Sequence, residues 1–270
     1  MRIIVPIKQI LDPDGLTFRR DKERMFINRE EYIIGPGSKA AVEAALRLKG
    51  EGDEGSGEPG RTVVALSMGE ARADDALREA LAMGCDAAYL LSDSAFAYAD
   101  LSVTTRVLAE AVARLGGADL IVTGRESGDT GAGQIGPRLA QALGYVQVTD
   151  VCALVAGEDG IEATRRWGEG YATVKAPLPA VVTVAPEAFE PRLPHGARIM
   201  SAYREWDVPV WDADALELGE AALAPLLTKR RESFPPPLEV GEVFRGDPET
   251  VAEDVVAALR QQKIIGQAGG

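Results

Sequence analysis

Histidine and cysteine are scarce in this chain of 270 residues: His195 is the only histidine, and Cys85 and Cys152 are the only cysteines. A lone histidine excludes multi-histidine metal sites. Since no polar cluster surrounds it in the sequence, it also argues against Ser-His-Asp or Cys-His catalysis. The cysteines lie far apart and form no Cys-x-x-Cys pair, so we predict neither a redox dithiol nor a zinc site. We therefore expect no catalytic side chain and no metal ligands, and any chemistry would come from a bound cofactor.

Positive charge and long apolar runs are also lacking. Lys and Arg number 29 against 42 Asp and Glu, which gives a formal net charge of -13. This balance argues against a nucleic-acid surface, which needs clustered basic residues. No apolar run approaches the roughly 20 residues of a membrane span, and the start lacks the apolar region of a signal peptide. We expect a cytoplasmic protein without membrane insertion that meets small ligands or protein partners.

Short apolar runs alternate with helical patterns through the first 145 residues. This alternation predicts a parallel sheet with helices on both faces. From Val146 onward, three short strands separated by glycine-containing turns predict an antiparallel ribbon, and 178–185 predicts one more buried strand. The predicted fold class is α/β, a doubly wound and mostly parallel sheet with an antiparallel ribbon and an extended C-terminal tail.

Local patterns add four predictions to this outline. Residues 17–20 and 24–27 predict a two-stranded hairpin. Ser38 is a candidate N-cap for a helix at 39–49. Residues 51–60, which are glycine-rich and acidic, predict a surface loop. The proline-rich tail is expected to end in a helix near 248–262.

The most informative stretch is GRESGDTGAGQIGPRLAQALG at 124–144. It joins the apolar run 118–123, predicted as a buried strand, to a helix through a loop with almost no bulky residue. Such glycines let backbone N–H groups approach a ligand, and the following helix presents the positive end of its dipole there. The chemistry suits a phosphate. The stretch is neither a Walker loop nor a GxGxxG fingerprint, so a glycine loop that only caps a helix remains open from these residues alone.

Several separated motifs resemble, in the same order, those of electron transfer flavoprotein β subunits, including bifurcating and nitrogen-fixation-linked relatives. They are VPIK at 5–8, AALRLK at 44–49, VALSMG at 64–69, ALAMGCD at 80–86, LPAVVT at 178–183, EPR at 190–192 and IM at 199–200. The glycine loop is similar to the family pattern GRQAIDGDTAQVGP without gaps. The resemblance runs nearly end to end.

The resemblance implies that this chain binds a nucleotide, AMP or a second FAD, at the glycine loop, and that a further FAD is held with the α subunit. The implied cofactor-binding residues are Pro6, Gly35, Pro36, Gly37, Ser38, Met68, Gly124, Arg125, Gly128, Asp129, Thr130, Gly131, Ala132, Gly133, Gln134 and Ile135. Where the family usually has Asn-Pro-Phe, residues 35–37 are Gly-Pro-Gly, from which we expect a roomier pocket lined by backbone. The pair Gly136-Pro137 resembles bifurcating and nitrogen-fixation-linked members, which favours FAD.

The resemblance also implies partners. The expected organisation is a nucleotide-binding domain at 1–200, with a recognition loop at about 186–200, and an extension at 201–270 that contacts the α subunit. The implied docking residues for a donor dehydrogenase are Phe189, Glu190, Pro191, Arg192 and Leu193. The chain is then the electron-carrying β subunit of a heterodimer, and in a bifurcating version it belongs to a complex that oxidises NADH.

Two alternatives stay open from the residues. A stand-alone regulator that binds an adenine nucleotide would have a similar glycine loop, but it would not need the ribbon, the recognition loop or the tail. An ATP-using ligase or hydrolase would require an acidic metal-binding cluster beside the loop, and Glu126 with Asp129 is too little for that.

Overall fold

The structure is a computed structural model that describes residues 1–22, 24–50, 60–157, 160–228, 230, 233 and 241–266. The loop predicted at 51–60 lies outside the described residues except for residue 60. The chain divides into two compact units, Met1–Thr228 and Lys229–Gly270.

The first unit is built on a sheet that contains nine strands within the described ranges. In spatial order they are β11 (Gly170–Ala176), β10 (Gly160–Trp167), β9 (Val146–Gly157), β12 (Ala180–Val184), β8 (Leu120–Gly124), β1 (Arg2–Ile7), β6 (Thr62–Met68), β7 (Ala87–Leu91) and β13 (Val210–Trp211). The seven strands from β9 to β13 in this order are parallel, and β9, β10 and β11 pair antiparallel. The predicted mostly parallel sheet with an antiparallel ribbon is confirmed.

Helices and small strands complete the unit. The helices are α1 (Pro36–Lys49), α2 (Asp74–Met83), α3 (Leu101–Arg114), α4 (Ile135–Leu143), α5 (Gly196–Arg204) and α6 (Glu220–Leu223). Two further antiparallel pairs are β2 (Gln9–Leu11) with β5 (Tyr32–Ile34), and β3 (Leu16–Arg19) with β4 (Arg24–Ile27). The β3–β4 pair confirms the predicted hairpin.

The core has two layers, one on each face of the sheet. Buried side chains of α1, α2 and α5 pack on one face, and those of α3 and α4 pack on the other. The connection from β1 to β6 crosses the first face through α1. The later connection from β7 to β8 crosses the second face through α3, and β8 then pairs with the other side of β1. The order of strands therefore reverses between β1 and β8, and doubly wound proteins bind ligands beyond the carboxyl ends of the strands at such a point.

Three local features differ from the sequence predictions. Helix α1 begins at Pro36 with Gly35 as its N-cap, so Ser38 is not the cap. Proline suits the first helical turn because its φ is preset and its missing N–H has no partner to lose there. The segment predicted as a recognition loop contains α5, and β13 joins the sheet beside β7 although no strand is predicted there.

The second unit contains helix α7 (Pro248–Gln261), which confirms the predicted terminal helix. Asp247 caps it, since its carboxylate accepts a hydrogen bond from the backbone N–H of Glu249 at 3.1 Å. No helix in the described part of the chain is long and apolar enough to cross a membrane.

Candidate functional site

The predicted cofactor residues follow three neighbouring parallel strands. Residues 35–38 follow β5 and open α1, and they lie at the end of β1 because the N–H of Gly35 donates to the carbonyl oxygen of Lys8 and the N–H of Lys8 donates to Ser38 Oγ. Met68 ends β6, and the glycine loop at 125–134 joins β8 to α4. Because β6, β1 and β8 are adjacent and parallel, these segments meet at one edge of the sheet, at the reversal point between β1 and β8. Pro6 and Met68 are half-buried on the face that carries α3 and α4.

The start of α1 lies directly against the glycine loop. A Cβ atom placed on Gly124 would lie 2.7 Å from the carbonyl carbon of Gly37, and one on Gly37 would lie 2.7 Å from the carbonyl oxygen of Glu126. Both distances are too short for a real side chain, so this contact requires glycine on each side. The roomier pocket expected from glycine at residue 37 is therefore wrong at that position, because the backbone of Glu126 fills the space.

The glycine loop is exposed where a ligand would approach it. Residues 128–131 and 133–134 are exposed. Gly131 and Gly133 have φ values of +58° and +62°, which residues other than glycine adopt only with strain. Helix α4 starts at Ile135, and the N–H groups of a first helical turn lack intrahelical partners. The loop therefore leads into the N–H groups of a first helical turn and the positive end of a helix dipole, which favours an anion.

Two cations border the loop, and each is paired with a carboxylate. Lys8 Nζ lies 2.6 Å from Asp129 Oδ2. Burial raises the pKa of Asp129, but the hydrogen bonds from Lys8 and Ser127 outweigh this effect and hold its pKa below the ordinary value. Arg125 Nη1 lies 3.2 Å from Asp150 Oδ1. Since both charges are balanced locally, the backbone donors remain the main attraction for an anion.

Lys8 is a site residue that the sequence prediction missed. Its ammonium group lies at the glycine loop, and its backbone N–H donates to Ser38 Oγ at 3.0 Å. Ser38 therefore ties the end of β1 to the first turn of α1. The sequence does contain a signal for this residue, since Lys8 directly follows a buried parallel strand. In doubly wound sheets ligands bind beyond the carboxyl ends of such strands.

Helix α4 is seated on the sheet through Gly136. A Cβ atom there would lie 2.3 Å from Thr183 Cγ2 and 3.0 Å from Thr123 Oγ1. Only glycine allows the first turn of α4 to lie this close to β8 and β12. The position of the helix N-terminus, and with it the direction of its dipole, is set by this contact.

The predicted docking segment lies between β12 and α5. Phe189 is buried at 4% exposure, whereas Leu193 is 93% exposed. Arg192 pairs with Glu43 of α1, with Nε and Oε2 at 2.8 Å. His195 is exposed, and its Nδ1 accepts a hydrogen bond from the N–H of Ala197 at the start of α5.

Glu43 is buried at 4% exposure and nevertheless carries a charge. Burial raises its pKa, but hydrogen bonds from Arg192 and Arg47 more than compensate and hold the pKa below the ordinary value. Within the described ranges, no group of three or more His, Cys, Asp or Glu side chains is arranged to hold a metal ion.

Comparisons with known proteins identify the family. The sequence model of the electron transfer flavoprotein domain matches residues 25–216, which include the glycine loop and the docking segment. The chain belongs to the electron transfer flavoprotein family. The resemblance to its β subunits that the motifs indicated is confirmed.

Relatives match this chain over nearly its whole length. The electron transfer flavoprotein subunit beta of Thermoanaerobacterium thermosaccharolyticum is 34% identical, over 98% of this chain and 100% of the relative. The caffeyl-CoA reductase-Etf complex subunit CarD of Acetobacterium woodii is 33% identical with the same coverage. The acryloyl-CoA reductase electron transfer subunit gamma of Anaerotignum propionicum is 31% identical, over 98% of this chain and 100% of the relative.

Proposed function

We propose that this chain is the β subunit of a heterodimeric electron transfer flavoprotein, and that it holds a nucleotide at the reversal point between β1 and β8. The observation that carries the proposal is that the start of α1 at 35–38 and the glycine loop at 125–134 meet at one edge of the sheet, where α4 also begins. The family match supports the flavin-linked function.

The residues present fit the phosphates of an adenine nucleotide. The glycine-rich loop leads into the first-turn N–H groups of α4, and positive φ at Gly131 and Gly133 gives the loop its curvature. Lys8, whose charge Asp129 balances, lies at the rim. We favour FAD over AMP in this subunit, because Gly136-Pro137 resembles the pattern of bifurcating members. A bound flavin would supply the one- and two-electron chemistry, and the chain's own residues would hold its phosphates and fix its orientation.

We further propose two protein partners. An α subunit would carry a flavin and contact residues 201–270, and a donor dehydrogenase would bind at 189–193 through the exposed Leu193. Two of the relatives are named as subunits working with caffeyl-CoA reductase and acryloyl-CoA reductase. On this basis we propose that the dehydrogenase acts on a CoA ester.

The test is to purify the chain together with its α partner, denature the complex, and identify the released nucleotide by absorbance and mass spectrometry. We expect two FAD per heterodimer. One FAD and one AMP would keep the electron-transfer role but contradict FAD in this subunit. The absence of any nucleotide and of a stable partner would overturn the proposed function.

Electron transfer is then measured directly. The heterodimer is mixed with an acyl-CoA dehydrogenase and its acyl-CoA substrate, and the bleaching of the heterodimer's flavin is followed. Saturation with heterodimer concentration gives KM and kcat for docking. A heterodimer whose flavin is never bleached would contradict the proposed donor.

A further inference from the structure

A buried carboxylate, paired with two partly exposed arginines, lies against the proposed docking segment. The carboxylate of Glu43 is on α1, at the sheet face that also carries α2 and α5. Oε2 accepts hydrogen bonds from the backbone N–H of Arg192 at 3.1 Å and from its Nε at 2.8 Å, and Oε1 accepts from Nη2 at 3.2 Å. One carboxylate therefore fixes both the backbone and the side chain of Arg192.

Arg47 extends the same contact to the preceding residues. Its Nε donates to Glu43 Oε1 at 2.8 Å, and its Nη2 donates to the carbonyl oxygen of Glu190 at 3.1 Å. The guanidinium carbon also lies 5.7 Å from the centre of the Phe189 ring, which is buried. Glu43 thus holds residues 189–192, directly or through Arg47.

The side chain that follows these held residues, Leu193, is exposed to solvent. Leu193 is 93% exposed, although it follows a residue whose backbone is tied to a buried carboxylate. A buried ion pair is a weak source of stability compared with apolar packing, and its best-supported role is to specify one arrangement. An apolar anchor that is held in its bound geometry before contact also loses less entropy on binding.

We propose that Glu43 is a positioning residue for partner docking, because it fixes residues 189–192 so that Leu193 is presented to the dehydrogenase. This inference rests on the proposed docking function. Glu43 itself touches neither the partner nor a cofactor, and it acts through Arg192 and Arg47.

The first measurement is amide hydrogen exchange of the heterodimer, comparing wild type with Glu43→Gln. The isosteric amide loses the charge that Arg192 and Arg47 share, so exchange at 189–193 should become about tenfold faster. The matched control is Glu79→Gln. Glu79 lies on α2 and forms an ion pair with Lys39 of α1, with Nζ and Oε1 at 2.7 Å, but no bond joins it to residues 189–193. The control should leave exchange at 189–193 unchanged, and equal exchange in wild type and Glu43→Gln would overturn the proposal.

The second measurement is docking, read from flavin bleaching by the acyl-CoA dehydrogenase. Glu43→Gln should raise KM for the heterodimer about tenfold at unchanged kcat, because the reacting groups are untouched. Leu193→Ala should also raise KM, and Glu43→Gln should add little in that background, since residues that act through one contact are not additive. A full tenfold rise from Glu43→Gln in the Leu193→Ala background would show that Glu43 acts elsewhere and would contradict the proposal.

The outcomes separate this inference from the function on which it rests. A wild-type heterodimer that accepts no electrons from the dehydrogenase would overturn both. Normal electron transfer in wild type with an unchanged KM in Glu43→Gln would overturn only the role of Glu43. If Glu43→Gln does not fold, Arg47→Gln removes the bonds from Arg47 to Glu43 and to the carbonyl oxygen of Glu190 from outside the docking segment, and it should change exchange and KM in the same direction.

Discussion

Individual glycines at the candidate site have different physical tasks. Gly124 and Gly37 permit close contact between two backbones, whereas Gly133 supplies a positive φ of +62° in the exposed loop. A substitution at the first two would collide with backbone atoms and disturb packing. A substitution at Gly133 has ordinary space, since its nearest neighbour would lie 3.6 Å away, so its effect comes from conformation alone.

This difference predicts a selective loss of the nucleotide in Gly133→Val. A β-branched residue is strongly disfavoured at positive φ, so the loop should shift and its backbone donors should lose their alignment. The control is Gly144→Val. Gly144 lies at the far end of α4, the helix that follows the glycine loop, and it has φ of +69° with open space around it. Both variants should lose about 1–2 kcal/mol of stability. Only Gly133→Val should release the nucleotide during co-purification with the α partner, and full nucleotide content in that variant would remove the loop from the proposed site.

A second prediction concerns pH and the buried carboxylate. The pKa of Glu43 in the folded chain is lower than its ordinary value of 4.5, so the ionised form stabilises the fold above that pH. Wild type should exceed Glu43→Gln in the free energy of unfolding by about 1–3 kcal/mol at pH 7. The difference should stay constant down to about pH 5 and shrink as pH falls through the folded pKa. Urea denaturation at pH 7, 5 and 4 measures it, and a difference that grows toward acid would contradict this sign.

At the scale of elements, the contact between α4 and the sheet determines where the helix dipole points. Gly136→Ala should push the first turn of α4 away from β12, because its methyl group would overlap Thr183 Cγ2. We expect a loss of about 1–3 kcal/mol, as for overpacking in other cores, together with weaker nucleotide binding.

Thr183→Ser provides the matched test. It removes the colliding methyl group but keeps Oγ1, which accepts a hydrogen bond from the N–H of Asp150 at 3.0 Å. Combined with Gly136→Ala, it should recover part of the stability that Gly136→Ala loses in urea denaturation. If the double variant shows only the sum of two losses, the close contact does not set the helix position.

Most elements were predictable because periodicity is a strong signal over long segments. The strand β8, the helix α4 and the β3–β4 hairpin each follow their apolar patterns. The two residues of β13 are too few to show a periodicity. Its place beside β7 depends on tertiary contacts, such as that between Trp211 and Tyr89, whose ring centres lie 4.4 Å apart. The hold of Glu43 on Arg192 was equally hidden, because 149 residues separate them in sequence.

At the scale of the whole molecule, the first unit contains the core. Among the residues that the structure describes, every buried one lies at or before Leu216. The carboxylate of Asp100 caps α3. It also accepts hydrogen bonds from the N–H groups of Leu226 and Leu227 at 2.8 and 2.9 Å, which hold the last residues of this unit in place.

We therefore predict that a chain ending at Thr228 folds alone. Its free energy of unfolding should lie within about 0.5 kcal/mol of the full chain, since none of the described residues beyond 228 is buried. Binding to the α subunit, measured by co-purification, should fall if the C-terminal extension contacts it as proposed. A truncated chain that is much less stable would show that the second unit supports the core, and one that still binds fully would place the α contact elsewhere.

The central position of β1 has a consequence for how the chain is made. This strand is synthesised before both of its neighbours, since β6 and β8 are completed only at residues 68 and 124. At 5–20 residues per second, the second neighbour emerges roughly 6–25 s later. During that interval an apolar strand with unpaired edges is available to other chains. We therefore expect a chain that ends before residue 120 to aggregate more readily than the full chain, because β1 then lacks its neighbour β8.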